Sequence, residues 1–222
     1  MSNWSILQQE VSLWALHNFG VQGAWQPMLG LTEEIGEFIA ARIIYGQQLA
    51  AGIGGILHHG PSVAALEDAI ADQCIYALNL AQICGIHFEK NVSSEPAESL
   101  TDAELFGAIA LASRAVLKHA QGIRGYGDAK RSVEVSVALA LWFRWASHQT
   151  KEFDLRPVMW STSSVWEEVK RRDWKKNPVD ANIAAWSARP ESSSQEQAAT
   201  ASQEQAATAP QEQVATAPQE QK

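Results

Sequence analysis

Five carboxylates on two consecutive apolar stretches carry the chemistry this sequence can offer. In Leu29-Gly-Leu-Thr-Glu-Glu-Ile-Gly-Glu-Phe38 the acids are Glu33, Glu34 and Glu37. Glu34 and Glu37, three apart, share one face of a helix. That face runs on through Ala41 and Ile44, residues of core type. In Leu66-Glu-Asp-Ala-Ile-Ala-Asp-Gln-Cys-Ile-Tyr-Ala-Leu-Asn-Leu80, Asp68 and Asp72 lie four apart on a face that continues through Ile75 and Asn79. The pattern predicts acids that look inward, and two such helices side by side would make one tetracarboxylate pocket. Negative charge concentrated in a partly dry groove is unfavourable without a cation. Oxygen-only ligation suits a hard divalent ion, Mg²⁺ best, with Mn²⁺ as the substitute.

Two other readings compete. A single acidic pair is commonly a solvated helix face; two aligned pairs on consecutive helices weigh against that. A carboxylate-bridged di-iron bundle needs inward Glu-x-x-His motifs. Here the residue three after Glu34 is Glu37 and the one three after Asp68 is Ala71, so histidine ligation loses support.

The elements that must position these acids are helices. Leu7, Val11, Leu13, Trp14 and Leu16 mark an amphipathic first helix, opened by a capping-box pattern at Ser5-Ile-Leu-Gln8 and ending near Phe19-Gly20. A connector from Val21 to Pro27 leads into the first acidic helix, about Met28 to Ala50, with Pro27 at its first position. Ala51 to Pro61, glycine-rich and holding His58 and His59, reads as a loop placed to act as a lid, or as a plain connector. Ser62 is the expected N-cap of the second acidic helix, which Gly85 should end in a left-handed conformation. Thr101-Asp-Ala-Glu104 opens a further helix to about Gln121, followed by a glycine-rich turn through Asp128. Ala129 to His148 alternates apolar residues at Val133, Val135 and Val137, but its length favours helix over strand. Ser164-Val-Trp-Glu167 predicts a short last helix bearing Trp166 and Val169. The bases Lys170, Arg171, Arg172, Lys175 and Lys176 lie on it or just beyond, before Asn177-Pro178.

The expected fold is therefore all-α, a helical bundle of about five main helices over residues 1–188. Residues 189–222 repeat an eight-residue unit, Ser194-Gln-Glu-Gln-Ala-Ala-Thr-Ala201 and its successors, with almost nothing large and apolar to bury. That composition predicts a disordered tail.

With a formal charge of -8 over 222 residues, long nucleic acids and anionic membranes are poor partners, whereas free nucleotides remain open. Cys74 and Cys84 read as buried thiols on one helix. No apolar run is long enough to span a bilayer and no basic segment followed by an apolar run opens the chain, so a cytoplasmic location is expected.

The order Glu33-Glu34-Ile-Gly-Glu37, spacer, Asp68-Ala-Ile-Ala-Asp72 resembles the MazG-like branch of the all-α nucleoside triphosphate pyrophosphohydrolases, whose pattern is Glu-Glu-x-x-Glu, a spacer, then Glu-x-x-Asp. His17-Asn-Phe-Gly20, Trp25-Gln-Pro-Met-Leu-Gly30 and Trp166-Glu-Glu-Val-Lys-Arg-Arg-Asp-Trp174 are similar to recurring features of that group. One departure stands out: Ala69 occupies the place of the family's second-stretch Glu, and the nearest acid on the correct face is Asp68. The resemblance implies hydrolysis between the α and β phosphates of a nucleoside triphosphate (NTP or dNTP), with Mg²⁺ or Mn²⁺ held by Glu34, Glu37, Asp72 and Asp68. Glu33 would be an outer ligand or orient the attacking water, beside Glu34 and Glu37 in the catalytic set. Phosphate contacts would come from Lys118 and Arg124 or from Lys170 and Arg171, base or sugar contacts from Asn79, Trp25 and His17.

The two helices from Thr101 to His148 also echo the acidic pair without its acids, as an internally duplicated helix pair would. A homodimer or higher homo-oligomer is the expected assembly. The alternative to an enzyme is a non-catalytic helical module that binds nucleotide or a partner while keeping the fold.

Overall fold

The segment Pro61–Ile83 is apolar over most of its circumference, interrupted by Glu67, Asp68 and Asp72, and a helix of that kind has to be largely surrounded. In the computed structural model, which describes residues 3–52, 60–92 and 100–176, this segment is the central helix α3. Around it run α1 (Asn3–Phe19), α2 (Trp25–Ala50), a short α4 (Phe88–Val92), α5 (Asp102–Ala120), α6 (Asp128–Glu152) and α7 (Val158–Val169). The described residues thus form an all-α bundle, five long helices and two short ones, and none of these helices is long and apolar enough to cross a membrane. Helix α3 packs against α1, α2, α4, α6 and α7. The two most extensive pairs are α2 with α3 and α5 with α6, two hairpins of long helices.

The α2–α3 pair is antiparallel: Ser62 Oγ donates to Gln48 Oε1 at one end, and Asn79 Nδ2 donates to Gln22 Oε1 just before α2 at the other. Midway, the fully buried Gln73 donates through Nε2 to the Glu34 carbonyl (3.1 Å) and accepts from Trp142 Nε1 (2.8 Å), joining α2, α3 and α6. Close approach of α2 to α3 requires Gly30, where an added Cβ would lie 2.3 Å from the Tyr76 ring. Gly85, with φ +68°, ends α3: its N–H and that of Ile86 bond to the Gln82 and Ala81 carbonyls.

Several helix boundaries depart from the sequence expectation, and the Ser5 and Ser62 hydroxyls serve contacts with other helices instead. Helix α1 begins at Asn3, before Ser5, whose Oγ donates to Glu89 on α4. Gln8 does not close a capping box; it is buried and pairs with the Ile86 carbonyl and the Phe88 N–H. Helix α2 starts at Trp25, so Pro27 sits third, still in the turn whose N–H groups lack helical partners. Gly60, not Ser62, caps α3, with Pro61 at its first position. Helix α7 starts at Val158, directly after Pro157 and six residues before Ser164, and within it Thr162 and Ser163 bond back to the Val158 and Met159 carbonyls. At Thr101–Glu104 the reciprocal capping box does form. The His58-His59 connector (53–59), Asn177-Pro178 and the repeat tail lie outside the described residues.

Two substitutions in α2 separate packing from helix propensity. Gly30→Ala gains about 1 kcal/mol of propensity but forces the Tyr76 ring to move. Overpacking of that kind costs about 1–3 kcal/mol, so urea denaturation should show a net loss. Gly36→Ala, where an added Cβ meets nothing, should stabilise by up to about 1 kcal/mol. Gln73→Leu strands the buried Trp142 N–H and should cost about 1–3 kcal/mol, part of which Trp142→Phe in the same chain removes.

Candidate functional site

Antiparallel packing of α2 on α3 brings the two acidic stretches to one level, since the Gln73 amide that contacts the Glu34 carbonyl is one residue from Asp72. All five carboxylates gather there. Glu34 and Asp72 are half-buried, while Glu33, Glu37 and Asp68 are exposed, so the acids form the rim of an open face rather than an enclosed pocket. Ala41 continues the face into the core, but Ile44 is 51% exposed.

The acids act on one another electrostatically. Burial first, and then the charges of Asp72, Glu37, Glu33 and Asp68, push the Glu34 carboxyl up to about 8. Burial followed by the charge of Asp68 pushes Asp72 up to about 7, against an opposing pull from Arg172. Asp68 is exposed as a residue, but its carboxyl is partly covered; that cover raises it, Arg172 opposes the rise and Glu168 adds to it. Ala69 packs in the core at 5% exposure, whereas Asp68, one turn before Asp72, stands on the acid face. These are hard oxygen donors that repel one another, a donor set whose chemistry fits Mg²⁺ or Mn²⁺. As the side chains stand, no group of three or more His, Cys, Asp or Glu among the described residues is arranged to hold a metal ion.

Arg172 is the basic residue that the tertiary structure adds. It follows α7 and is pinned from α1: Trp14 Nε1 donates to the Arg172 carbonyl (3.2 Å), and the Trp174 N–H donates to Asn18 Oδ1 (2.9 Å). Trp166 donates to Glu10 (2.8 Å) and meets Trp14 edge to face, locking α7 to the same helix. A run of bases after Val169 was the only signal in the sequence; which member turns toward Asp68 and Asp72 depends on the path of the chain after α7. The same path sets Glu168 to act on Asp68.

The remaining candidates divide by position. His17 is exposed near the end of α1, and Asp173 of the pinned segment pairs with Lys176. Lys170 pairs with Glu167, and Arg171 is exposed at the end of α7. Trp25, 48% exposed, lies over Gly23 and shares a line along α2 with exposed Leu29 and Glu33, so an open aromatic face leads toward the acids. Asn79 is buried two turns beyond Asp72 and bonded to Gln22. Lys118 and Arg124 are placed elsewhere, in the last turn of α5 and the α5–α6 turn, where His119 contacts the Tyr126 carbonyl. Compared with family models, curated proteins and solved structures, the chain matches none.

The raised acids make stability depend on pH in a defined direction. Glu34 and Asp72 titrate higher folded than unfolded, so their contribution is complete below about pH 4 and is lost as pH rises through about 7–8. In chelator-treated protein, thermal melts should show Tm falling from about pH 5 to about pH 9, and Glu34→Gln should flatten that fall. Added Mg²⁺ or Mn²⁺ should raise Tm more at the alkaline end, because cation binding needs the ionised carboxylates.

Proposed function

We propose that the chain is a divalent-cation-dependent nucleoside triphosphate pyrophosphohydrolase of the MazG-like type, releasing a monophosphate and pyrophosphate. The observation that carries this reading is the pair of half-buried carboxyls, Glu34 and Asp72, on adjacent helices, each raised by burial and by its acidic neighbours. Ionising that group without a counter-charge is unfavourable, and a nucleotide arriving with Mg²⁺ supplies one.

Glu34, Glu37, Asp72 and Asp68 would hold the cation, which when bound neutralises phosphate charge and favours attack by water. Glu33, exposed beside Glu34, is suited to orient that water. Arg172, with Lys170 and Arg171 nearby in sequence, would take phosphate oxygens, and Trp25 offers a face on which a base can stack. Lys118 and Arg124, at the other hairpin's turn, have less claim to the triphosphate.

The non-catalytic reading draws on one observation, that among the described residues no three acids converge as the side chains stand. The two readings separate in an assay of pyrophosphate release from canonical NTPs and dNTPs with Mg²⁺ or Mn²⁺. Turnover is expected, reduced in folded Glu37→Gln and Asp68→Ala by at least the ~10–100-fold that loss of an outer-shell partner costs. Arg172→Ala should raise KM by about tenfold, the scale of one charge-assisted hydrogen bond. Cation binding without turnover on any nucleotide would favour the non-catalytic module.

A further inference from the structure

The charges of this chain are unevenly placed. Between Glu104 and Glu134 the sequence holds five bases, Arg114, Lys118, Arg124, Lys130 and Arg131, against the single acid Asp128. That stretch carries a net charge of +4 in a chain of total -8, so the rest carries -12. All six residues lie at one end of the α5–α6 hairpin, in the last two turns of α5, the connecting turn and the first turn of α6. Asp128 is already engaged, by Arg131 at 2.8 Å and with His119 3.6 Å away. Among the described residues Arg114, Lys118, Arg124 and Lys130 enter no ion pair, and all but Lys118 are exposed. Aliphatic side chains stand among them: Leu117 is 51% exposed, Ile123 44% and Val133 63%. Helical spacing puts Leu117 and Lys118 on the same face of α5 as Arg114.

The turn is held in one path. The Gly122 and Ile123 N–H groups donate to the His119 and Lys118 carbonyls (2.9 and 3.0 Å), the Tyr126 N–H donates to the Ile123 carbonyl (3.1 Å), and the Tyr126 carbonyl meets His119 Nδ1 (3.0 Å). Gly122 and Gly125, with φ +67° and +88°, allow that path. A surface ordered beforehand loses less entropy when a partner arrives. It also stands apart from the acidic rim. Ser132 Oγ donates to the Cys84 carbonyl (2.6 Å), which sets the start of α6 at the end of α3. The helical rise from Asp72 to Cys84 is about 18 Å, roughly two screening lengths at physiological ionic strength.

We propose that this end of the α5–α6 hairpin docks a short acidic peptide segment of a partner protein, one that carries aliphatic residues among its carboxylates. Charge decides the length of the occupant. An anion confined to the tip meets +4, whereas an extended polyanion or an anionic bilayer also faces the remaining -12. The exposed aliphatics decide its composition. Leu117, Ile123 and Val133 gain from burial against aliphatic side chains and offer nothing to a phosphodiester backbone. Single-stranded nucleic acid is held by bases together with open aromatic rings; the ring at this tip, Tyr126, is half-buried, and Lys130 Nζ sits 4.3 Å from its centroid.

Fluorescence anisotropy on the full chain tests the proposal, with a labelled peptide that repeats Asp-Glu-Leu-Glu-Asp-Ile and circular dichroism to check that each variant is folded. Binding is expected, weakening as salt is raised. Arg124→Glu should weaken it by about tenfold or more, and adding Lys130→Glu should weaken it further. Ile123→Ser leaves every charge in place and should still cost about tenfold, the scale of one buried aliphatic side chain. A peptide with serine in place of its leucine and isoleucine should lose at least as much. Lys175→Glu, at an exposed base outside the tip, should leave the affinity unchanged. No binding at low salt would overturn the proposal, as would binding that Lys175→Glu weakens as much as Arg124→Glu does. Tighter binding of oligothymidylate or of phosphatidylserine vesicles through the same bases would overturn the peptide as occupant and assign the tip to nucleic acid or lipid.

Discussion

One buried amide holds the working parts of this bundle in register. Gln73 sits without solvent contact in the middle of α3, and both ends of its side chain are engaged, by Trp142 of α6 and by the backbone of Glu34 on α2. A buried amide with both ends engaged tolerates little sliding, since displacement by a turn would leave polar groups unpaired in an apolar interior. The same contact places the Glu34 carboxylate at the level of Asp72. Core packing and the electrostatics of the acidic face are therefore set by one interaction, with the Gly30–Tyr76 contact fixing how near the two helices come.

Around that centre, the first and last described helices form a clamp. Trp14, Asn18 and Glu10 of α1 hold α7 and the segment after it at three points, and the outcome is Arg172 beside Asp68 and Asp72. Five neighbouring carboxylates with one arginine leave a net negative group, which is why burial and repulsion raise Glu34 and Asp72 rather than Arg172 cancelling them. The clamp thus links the bundle's outer layer to the charge state of its candidate site.

The second hairpin, α5 with α6, is differently specialised. Its junction with α2 combines the packing of buried Phe38 against Trp145 with an ion pair of Arg42 and Asp102, which also accepts from the Trp145 N–H, and the Arg42 guanidinium holds Asp102 below the usual carboxylate range. Its outer face carries valines where the first hairpin carries acids. The alternation of Val133, Val135 and Val137 that imitates a strand is explained by a helix with one apolar side toward the core and another toward the exterior.

The sequence by itself determined what local periodicity controls. Helical spacing put Glu34 with Glu37 and Asp68 with Asp72, Gly85 ended α3 because only its left-handed backbone allows the closing hydrogen bonds, and Thr101 with Glu104 capped α5 within four residues. The tertiary structure decided whatever depended on partners far along the chain. Ser5, Ser62 and Ser164 resembled caps, but helix starts lay elsewhere, and the first two hydroxyls found acceptors on other helices. The acids proved to be a rim rather than a buried cluster, since their exposure depends on which helices cover α2 and α3. Arg172 was one of several equivalent bases until α1, more than 150 residues earlier, fixed its backbone. A helix's period is written in its neighbours, whereas the direction in which a charge finally points is set by contacts that exist only once the bundle has closed.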